Sequence, residues 1–179
     1  SMARLARRDA LFSDIYHVIS RGNRQLDIFK TVDDFIKYLD ILEHYKNKYS
    51  FKLYSYALMS NHIHLLIEPC IREDLPKIMR DINGAYSKYF NKTHSYAGHL
   101  FRERYKSLQV LDESYFLTCG IYIELNPVRA VIVTNPADYP WTSYGFNALG
   151  KANQCVDLSP VYLDLGSNSK PQQAQYRDL

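Results

Sequence analysis

The chain has 179 residues, of which 46% are hydrophobic and 23% are charged, and its formal net charge is +3. This length and composition are typical of one globular domain with a short appendage, and so small a net charge does not by itself indicate an acidic partner. No apolar run approaches the roughly 18 residues of a membrane span, no signal-peptide pattern is present, and Cys70, Cys119 and Cys155 have neither zinc-site nor disulfide spacing. These features argue against a membrane-spanning or disulfide-framework protein, and we expect a cytoplasmic one.

The first half of the chain predicts a strand, a helix and two further strands. Residues 14–20 are rich in β-branched and aromatic side chains, and Arg21-Gly22-Asn23 ends that strand in a turn. Apolar residues recur at three- and four-residue spacing over 31–48, which indicates an amphipathic helix with Thr31 as its N-cap. Strands follow at 51–59 and 62–68, separated by only two residues.

The second half adds a helix, an extended segment and a third helix. The helix begins after Asp74 and runs to about residue 91, and 100–111 reads as one bent strand or two short ones. Asp112 caps a helix from 113 to about 125, which Pro127 ends. Residues 165–179 read as a linker or disordered tail. We therefore assign one domain to 3–150 and a C-terminal extension or tail to 151–179.

The order of these elements predicts the fold class. It is strand, helix, strand, strand, helix, strand, helix. Two strand–helix–strand halves around one antiparallel sheet make a ferredoxin-like α+β sandwich, with the first two helices on one face. We expect the last helix to pack somewhere on the same sheet.

Two histidines on one strand are the strongest candidates for chemistry. His62 and His64 flank Ile63, and residues two apart on a strand point to the same face. Two neighbouring imidazoles are half of a divalent-metal site, because histidine is the commonest protein metal ligand. Read alone, the pair is more often structural than functional.

The third helix offers the groups that such a site lacks. By three- and four-residue spacing, one face of it carries five residues: Tyr115, Thr118, Cys119, Tyr122 and Asn126. Asn126 can place an amide oxygen beside the phenol of Tyr122, and a phenol beside a histidine-bound cation can attack phosphorus. Glu68 and Glu124 compete with Asn126 as the third ligand.

Several residues keep a second interpretation. Tyr122 is one of 16 tyrosines, most of which pack in cores. Tyr115, one heptad earlier, is the rival nucleophile, and Tyr105 is a lesser rival. His17 we interpret as structural.

Basic residues gather in two parts of the sequence. Between Lys77 and Lys106, seven Lys or Arg stand against two acidic residues, and the first 24 residues contain five arginines: Arg4, Arg7, Arg8, Arg21 and Arg24. Basic segments interleaved with aromatic residues suit a nucleic-acid surface. The candidates for DNA contact are Arg21 and Asn23 in the first turn and Arg102, Arg104 and Lys106 on one face of an extended segment. Turn geometry and solvated charge are the alternatives.

Three blocks of this sequence resemble a known family of enzymes. The blocks are Tyr16-His17-Val18-Ile19-Ser20-Arg21-Gly22-Asn23, Met59-Ser60-Asn61-His62-Ile63-His64-Leu65-Leu66 and Tyr122-Ile123-Glu124-Leu125-Asn126-Pro127-Val128-Arg129-Ala130. In order and spacing they resemble the single-tyrosine transposases of the insertion-sequence-200-like family, which carry a His-hydrophobic-His (HUH) motif. The resemblance extends over about residues 10–145 and is greatest to the REP-associated branch.

The resemblance implies a fold, a substrate and a mechanism. It implies a ferredoxin-like fold that acts on single-stranded DNA, in hairpin or palindromic form, with Mg or Mn as cofactor. Strand cleavage and rejoining would pass through a covalent 5′-phosphotyrosine intermediate with release of a 3′-hydroxyl. By position, His62 and His64 correspond to the metal ligands, Tyr122 to the nucleophile, and Asn126 to a polar third ligand that is often Gln in relatives.

Two other functions remain open at this point. One is a domesticated protein that binds DNA hairpins without cutting them, and the other is a metal hydrolase that uses the two histidines on a small substrate. Relatives also differ in whether a monomer or a homodimer acts, and so in whether the tyrosine serves its own chain's metal site.

Overall fold

The computed structural model describes residues 14–179, so Arg4, Arg7 and Arg8 lie outside the described residues. Four strands and two long helices form the first two thirds of this part, and five shorter helices follow. Short 3-10 turns lie at Asn23–Gln25, Arg72–Asp74 and Pro136–Asp138. The strands and helices are β1 Tyr16–Arg21, α1 Val32–Tyr49, β2 Lys52–Leu58, β3 His62–Glu68, α2 Leu75–Thr93, β4 Lys106–Gln109, α3 Glu113–Glu124, α4 Asn126–Arg129, α5 Tyr144–Leu149, α6 Pro160–Leu163 and α7 Ser169–Arg177.

The four strands form one antiparallel sheet in the order β2-β3-β1-β4. The two halves of the chain therefore interleave. β3 and β1 lie in the centre, β2 from the first half lies at one edge, and β4 from the second half lies at the other. This topology confirms the predicted ferredoxin-like α+β sandwich.

The two faces of the sheet have different coverings. On one face, α1 and α2 pack over strand residues such as Val18, Ile63 and Leu65, and this is the larger core. On the other face, α3 packs on β2 and β3, where Leu66 and Phe116 belong to a second apolar cluster. Because side chains alternate along a strand, the β3 residues between those of the larger core point toward α3.

The long helices begin where the sequence predicts. Thr31 caps α1 in a reciprocal capping box with Asp34, and the Asp112 side chain caps α3 by accepting the Tyr115 N–H at 2.8 Å. Pro127 does not simply end the helical run, since it sits in the first turn of α4.

Two boundaries differ from the prediction. Of residues 100–111, only Lys106–Gln109 form a strand, and an isolated bridge joins Phe101 to Gly22. On α3, Cys119 does not share the exposed face of Tyr115 and Tyr122, because it is buried in the apolar cluster under the helix.

The interpretation of 165–179 as a linker or disordered tail is wrong. Ser169–Arg177 form α7, which packs against α5, and the Tyr176 side chain is buried. Its hydroxyl donates to the Glu124 carboxylate at the end of α3. The segment is polar enough to resemble a tail, but a few anchoring side chains suffice to fix it. The assignment of one domain to 3–150 and of an extension to 151–179 stays a prediction.

Among residues 14–179, no helix is both long and apolar enough to cross a membrane.

Candidate active site

His62 and His64 lie on the α3-facing side of β3, near the middle of the sheet. In the pairing of β3 with β1, His62 is opposite Arg21 and His64 is opposite Ile19. The two imidazole centroids are 5.0 Å apart, with the rings nearly perpendicular. His64 is buried and His62 is half-buried, so one side of the pair is open to an incoming ligand.

Both imidazoles are held in the neutral form. Burial, together with the charge of Arg21, lowers the pKa of His62 to about 4. Burial is also the main cause that lowers the pKa of His64 to about 2, with smaller contributions from His62, His17, Arg21 and Arg129. A neutral imidazole has a lone pair for a metal, whereas an imidazolium has none.

In each histidine the Nδ1 atom already has a partner. His62 Nδ1 lies 2.8 Å from the Asn61 side-chain oxygen, and His64 Nδ1 lies 2.8 Å from Nε2 of His17. Both Nε2 atoms are thereby left to bind a cation. A pair of neutral imidazole nitrogens at a partly open site fits a divalent ion that retains several waters.

His17 belongs to this site, although its sequence context indicates a structural residue. Its ring is buried and stacks on His64 at a centroid distance of 5.1 Å. Burial lowers the pKa of His17 to about 4, so it too is neutral. The sequence contains one signal for this role: residues 17 and 21 of one strand share a face, so His17 lies on the same face as Arg21. Only the register of β1 with β3 shows that this face also carries His62 and His64.

Tyr122 reaches the histidines of its own chain. Its ring centroid is 6.5 Å from that of His64 and 6.5 Å from that of His17, and its side chain is 49% exposed. The phenol is thus near the metal-ligand candidates and open to a substrate. Tyr115 is seven residues earlier, which places its backbone about 10 Å further along the helix axis.

Arg129 closes over the tyrosine from α4. Its guanidinium carbon lies 3.7 Å from the centroid of the Tyr122 ring, and Nη2 donates to the Tyr122 backbone oxygen at 2.7 Å. Stacking of a planar cation on an aromatic face is favourable. The contact restricts the phenol and brings a fixed positive charge beside it.

The three candidates for a third metal ligand, Asn126, Glu68 and Glu124, all have hydrogen-bond partners within the protein. The amide nitrogen of Asn126 donates to the Ile123 carbonyl at 3.0 Å, which directs that group to its own helix. The rival Glu68 accepts from Tyr54 at 2.8 Å. Glu124 is fully enclosed, where burial raises its pKa to about 7 against the opposing effect of three donors from Ser143, Tyr176 and Asn147. Within residues 14–179, no three His, Cys, Asp or Glu side chains are grouped to hold a metal.

The five predicted DNA-contact residues lie along two adjoining clefts beside the histidines. Arg21 and Arg102 line both of them. The larger cleft, of about 510 Å³, also contains Asn23, Arg24 and Asn61. The smaller one, of about 80 Å³, also contains Arg104 and Lys106. Since Arg21 is directly opposite His62, a basic surface begins next to the metal-ligand candidates.

One solved structure supports this fold. The structure is similar to that of a REP-associated tyrosine transposase bound to a REP hairpin, with a TM-score of 0.63 and 16% identity over 82% of this chain and 90% of that one. It is also similar to a Deinococcus radiodurans R1 protein provisionally described as a transposase, with a TM-score of 0.45 and 21% identity over 62% of this chain and 88% of that one. No curated protein matches the sequence.

The family is shown by the sequence itself. The family model described as "Transposase IS200 like" matches residues 10–126, which include β1, the His-Ile-His strand and the whole of the tyrosine helix. The chain therefore belongs to the IS200-like transposases and is an enzyme of that class.

Proposed function

We propose that this transposase cleaves and rejoins single-stranded DNA through a covalent 5′-phosphotyrosine on Tyr122, with a divalent metal, Mg or Mn, bound by His62 and His64. The observation that carries the proposal is the position of the Tyr122 ring, 6.5 Å from the His64 ring of the same chain. A phenol at this distance from a neutral histidine pair can share one phosphate with a cation held there.

In this mechanism each residue has a limited task. The Tyr122 oxygen forms a bond to phosphorus as the bond to the 3′-oxygen breaks, and the proton lost by the phenol is balanced by the one that the 3′-hydroxyl gains. The bound cation would withdraw charge from the phosphate oxygens. Arg129 holds the phenol in place, and Asn126 is our proposed third ligand, through its side-chain oxygen.

We infer that the basic clefts bind DNA. Arg21, Asn23 and Arg102 would bind phosphates on one side of the histidines, and Arg104 and Lys106 would extend the track. The structural neighbour bound to a REP hairpin supports hairpin DNA as the substrate. Because Tyr122 lies at the histidines of its own chain, we infer that one chain forms a complete site and that a monomer is active. The free thiols Cys70, Cys119 and Cys155 suit a reducing cytoplasm.

Transfer of labelled DNA to the protein tests the proposal. The probe is a library of single strands with a hairpin stem and randomised flanks, labelled at the 3′ end. A 5′-phosphotyrosine retains the 3′ side of the break, so wild-type protein with Mn²⁺ should become labelled on a denaturing gel. The same library labelled at the 5′ end should instead give free, shorter strands.

Two tyrosine variants and a chelator provide the controls. Tyr122→Phe should abolish the adduct, while Tyr115→Phe should retain it, and EDTA should prevent it. If Tyr122→Phe still becomes covalently labelled by the DNA and Tyr115→Phe does not, the nucleophile assignment is refuted. Hairpin binding without cleavage in Mg²⁺ or Mn²⁺ would instead indicate the domesticated, non-cleaving protein.

A further inference from the structure

His17 is an ionisable side chain in contact with the metal-ligand candidates that the proposed mechanism does not use. It lies on β1, one strand away from the metal-ligand candidates, and is only 5% exposed. We propose that His17 is a positioning residue, which fixes the ring orientation and the tautomer of His64 so that His64 offers Nε2 to the metal. This inference rests on the proposed metal-dependent function.

The hydrogen bond between the two rings constrains where the protons lie. His17 Nε2 and His64 Nδ1 are 2.8 Å apart, and a bond between two ring nitrogens needs one protonated and one unprotonated atom. If His64 binds a cation through Nε2, its remaining proton is on Nδ1. His64 must then donate to His17, and His17 must carry its own proton on Nδ1.

The other metal-ligand candidate has an equivalent partner. Nδ1 of His62 lies 2.8 Å from the side-chain oxygen of Asn61, and an amide oxygen can only accept. His62 is therefore fixed as the Nδ1–H tautomer, with Nε2 unprotonated. Two histidines of one strand thus have their Nδ1 atoms engaged by two different acceptors, which is the arrangement that orients imidazole ligands at metal sites.

The position of His17 in the sheet explains why it can reach only His64. Its cross-strand partner is Leu66, so it is diagonal to His64 and lies on the side of His64 that is away from His62. The stacking of the His17 and His64 rings at 27° further restricts rotation of His64. His17 therefore orients the ligand from behind without occupying the space between the two Nε2 atoms.

Direct measurement of Mn²⁺ binding, without DNA, tests the inference. Free Mn²⁺ is followed by electron paramagnetic resonance with the full-length protein. His17→Phe keeps an aromatic ring but removes the acceptor, and we expect its Kd for Mn²⁺ to rise about 10- to 100-fold. His17→Gln places an amide oxygen near the position of Nε2, and its Kd should stay within about threefold of wild type. Thermal unfolding of both variants separates this effect from a loss of folding.

The possible failures are distinguishable. If His62→Ala abolishes Mn²⁺ binding while His17→Phe binds as tightly as wild type, the metal site stands and the role of His17 is refuted. If wild type itself binds no Mn²⁺, both proposals fall.

A second measurement needs no variant, in case His17→Phe does not fold. In Mg²⁺-loaded wild-type protein labelled with ¹⁵N in its histidines, His64 should be the Nδ1–H tautomer. A scalar coupling across the hydrogen bond to His17 Nε2 should accompany it. Absence of that coupling would contradict the inference.

Discussion

At the scale of single residues, the stacking of Arg129 on Tyr122 connects local structure to reactivity. The guanidinium covers one face of the phenol and is tied to the same residue's carbonyl. A cation–π contact at an exposed site contributes about 0.5–1 kcal/mol, which corresponds to about a two- to fivefold change in a rate that depends on the phenol's position. We expect Arg129→Ala to slow formation of the DNA adduct by about that factor at saturating DNA.

Arg129→Lys is the matched variant for this prediction. It keeps the charge but not the planar group that stacks, so its single-turnover rate should fall between those of wild type and Arg129→Ala. An Arg129→Ala rate equal to wild type would show that the stack does not position the nucleophile. A loss above about 100-fold, or nearly 3 kcal/mol, would show that the guanidinium contacts the reacting phosphate.

The histidines show how far a sequence pattern can be used alone. That His62 and His64 share a face follows from strand alternation and nothing else. The role of His17 depends on the pairing of β1 with β3, which brings together residues 47 positions apart. Local periodicity contains no information about that register, so the sequence could predict the pair but not its partner.

Gly22 shows a similar limit in the turn after β1. The sequence suggests a glycine that supplies left-handed backbone, yet its φ is −60°. The left-handed residues of this turn are Arg24 and Gln25. Gly22 is needed for another reason, since a Cβ there would lie 2.2 Å from the Leu26 carbonyl oxygen. Such a close approach between two backbone segments depends on the tertiary structure, so it cannot be predicted from the local sequence.

At the scale of elements, capping residues set the helix starts and tertiary contacts set the strand ends. Thr31 and Asp112 predict the beginnings of α1 and α3 because a cap acts on backbone groups two or three residues away. The length of β4 is different, because it depends on where β1 stops pairing. Its four residues match the four positions of β1 that they face, which explains why the alternating segment 100–111 overestimates the strand.

Asp34 joins the two long helices, and its charge can be tested. Its fully buried carboxylate accepts from the Thr31 and Lys30 backbones in the N-terminal turn of α1 and from Tyr89 and His94 of the α2 region. Burial acts to raise the pKa of Asp34, but these hydrogen bonds outweigh it and hold the pKa below the ordinary value of 3.8. A lowered pKa means that the stabilising effect is present above about pH 4 and is lost as pH falls further.

We therefore expect Asp34→Asn to lower the free energy of unfolding by about 1–3 kcal/mol at pH 7. The difference from wild type should narrow below pH 4, because protonation of Asp34 weakens the same contacts in wild type. Urea unfolding at pH 7 and pH 3 measures both quantities. Asp33→Asn changes an exposed carboxylate in the same turn and should be nearly neutral. An equal effect of Asp34→Asn at both pH values would show that its charge is not stabilising.

At the scale of the whole molecule, one face of the sheet contributes mainly to stability and the other carries the candidate active site. The face under α1 and α2 contains the larger apolar core, whereas the face under α3 carries the histidines and the tyrosine. The C-terminal helices support the second face. Tyr176 of α7 and Asn147 of α5 both donate to Glu124, two residues after Tyr122. The position of Tyr122, the proposed nucleophile, therefore depends on a segment whose polar sequence resembles a dispensable tail.

Removal of that segment measures how much α7 contributes to the fold and to the candidate active site. A chain that ends at residue 164 loses α7 and the buried aromatic side chain of Tyr176, and deletion of a buried aromatic side chain costs about 3–5 kcal/mol. We expect its melting temperature to fall by at least about 6 °C and its yield of DNA adduct to fall with it. No change in either quantity would show that α7 does not support the candidate active site.

Two smaller changes locate the cause of that loss. Tyr176→Phe keeps the packed ring and removes the hydroxyl, which donates to Glu124 and also bonds to Ser55. Because the pKa of Glu124 is about 7, the cost should lie between about 0.5 and 3 kcal/mol, which spans hydrogen bonds to neutral and to charged groups. Deletion of residues 178–179, which are exposed beyond α7, should change stability by less than about 0.5 kcal/mol. If Tyr176→Phe is neutral while the longer deletion destabilises, α7 acts through apolar packing, and the link from its hydroxyl to the tyrosine helix is not needed. If both are destabilising and both lower the adduct yield, the Glu124 contact holds the nucleophile's helix against the sheet.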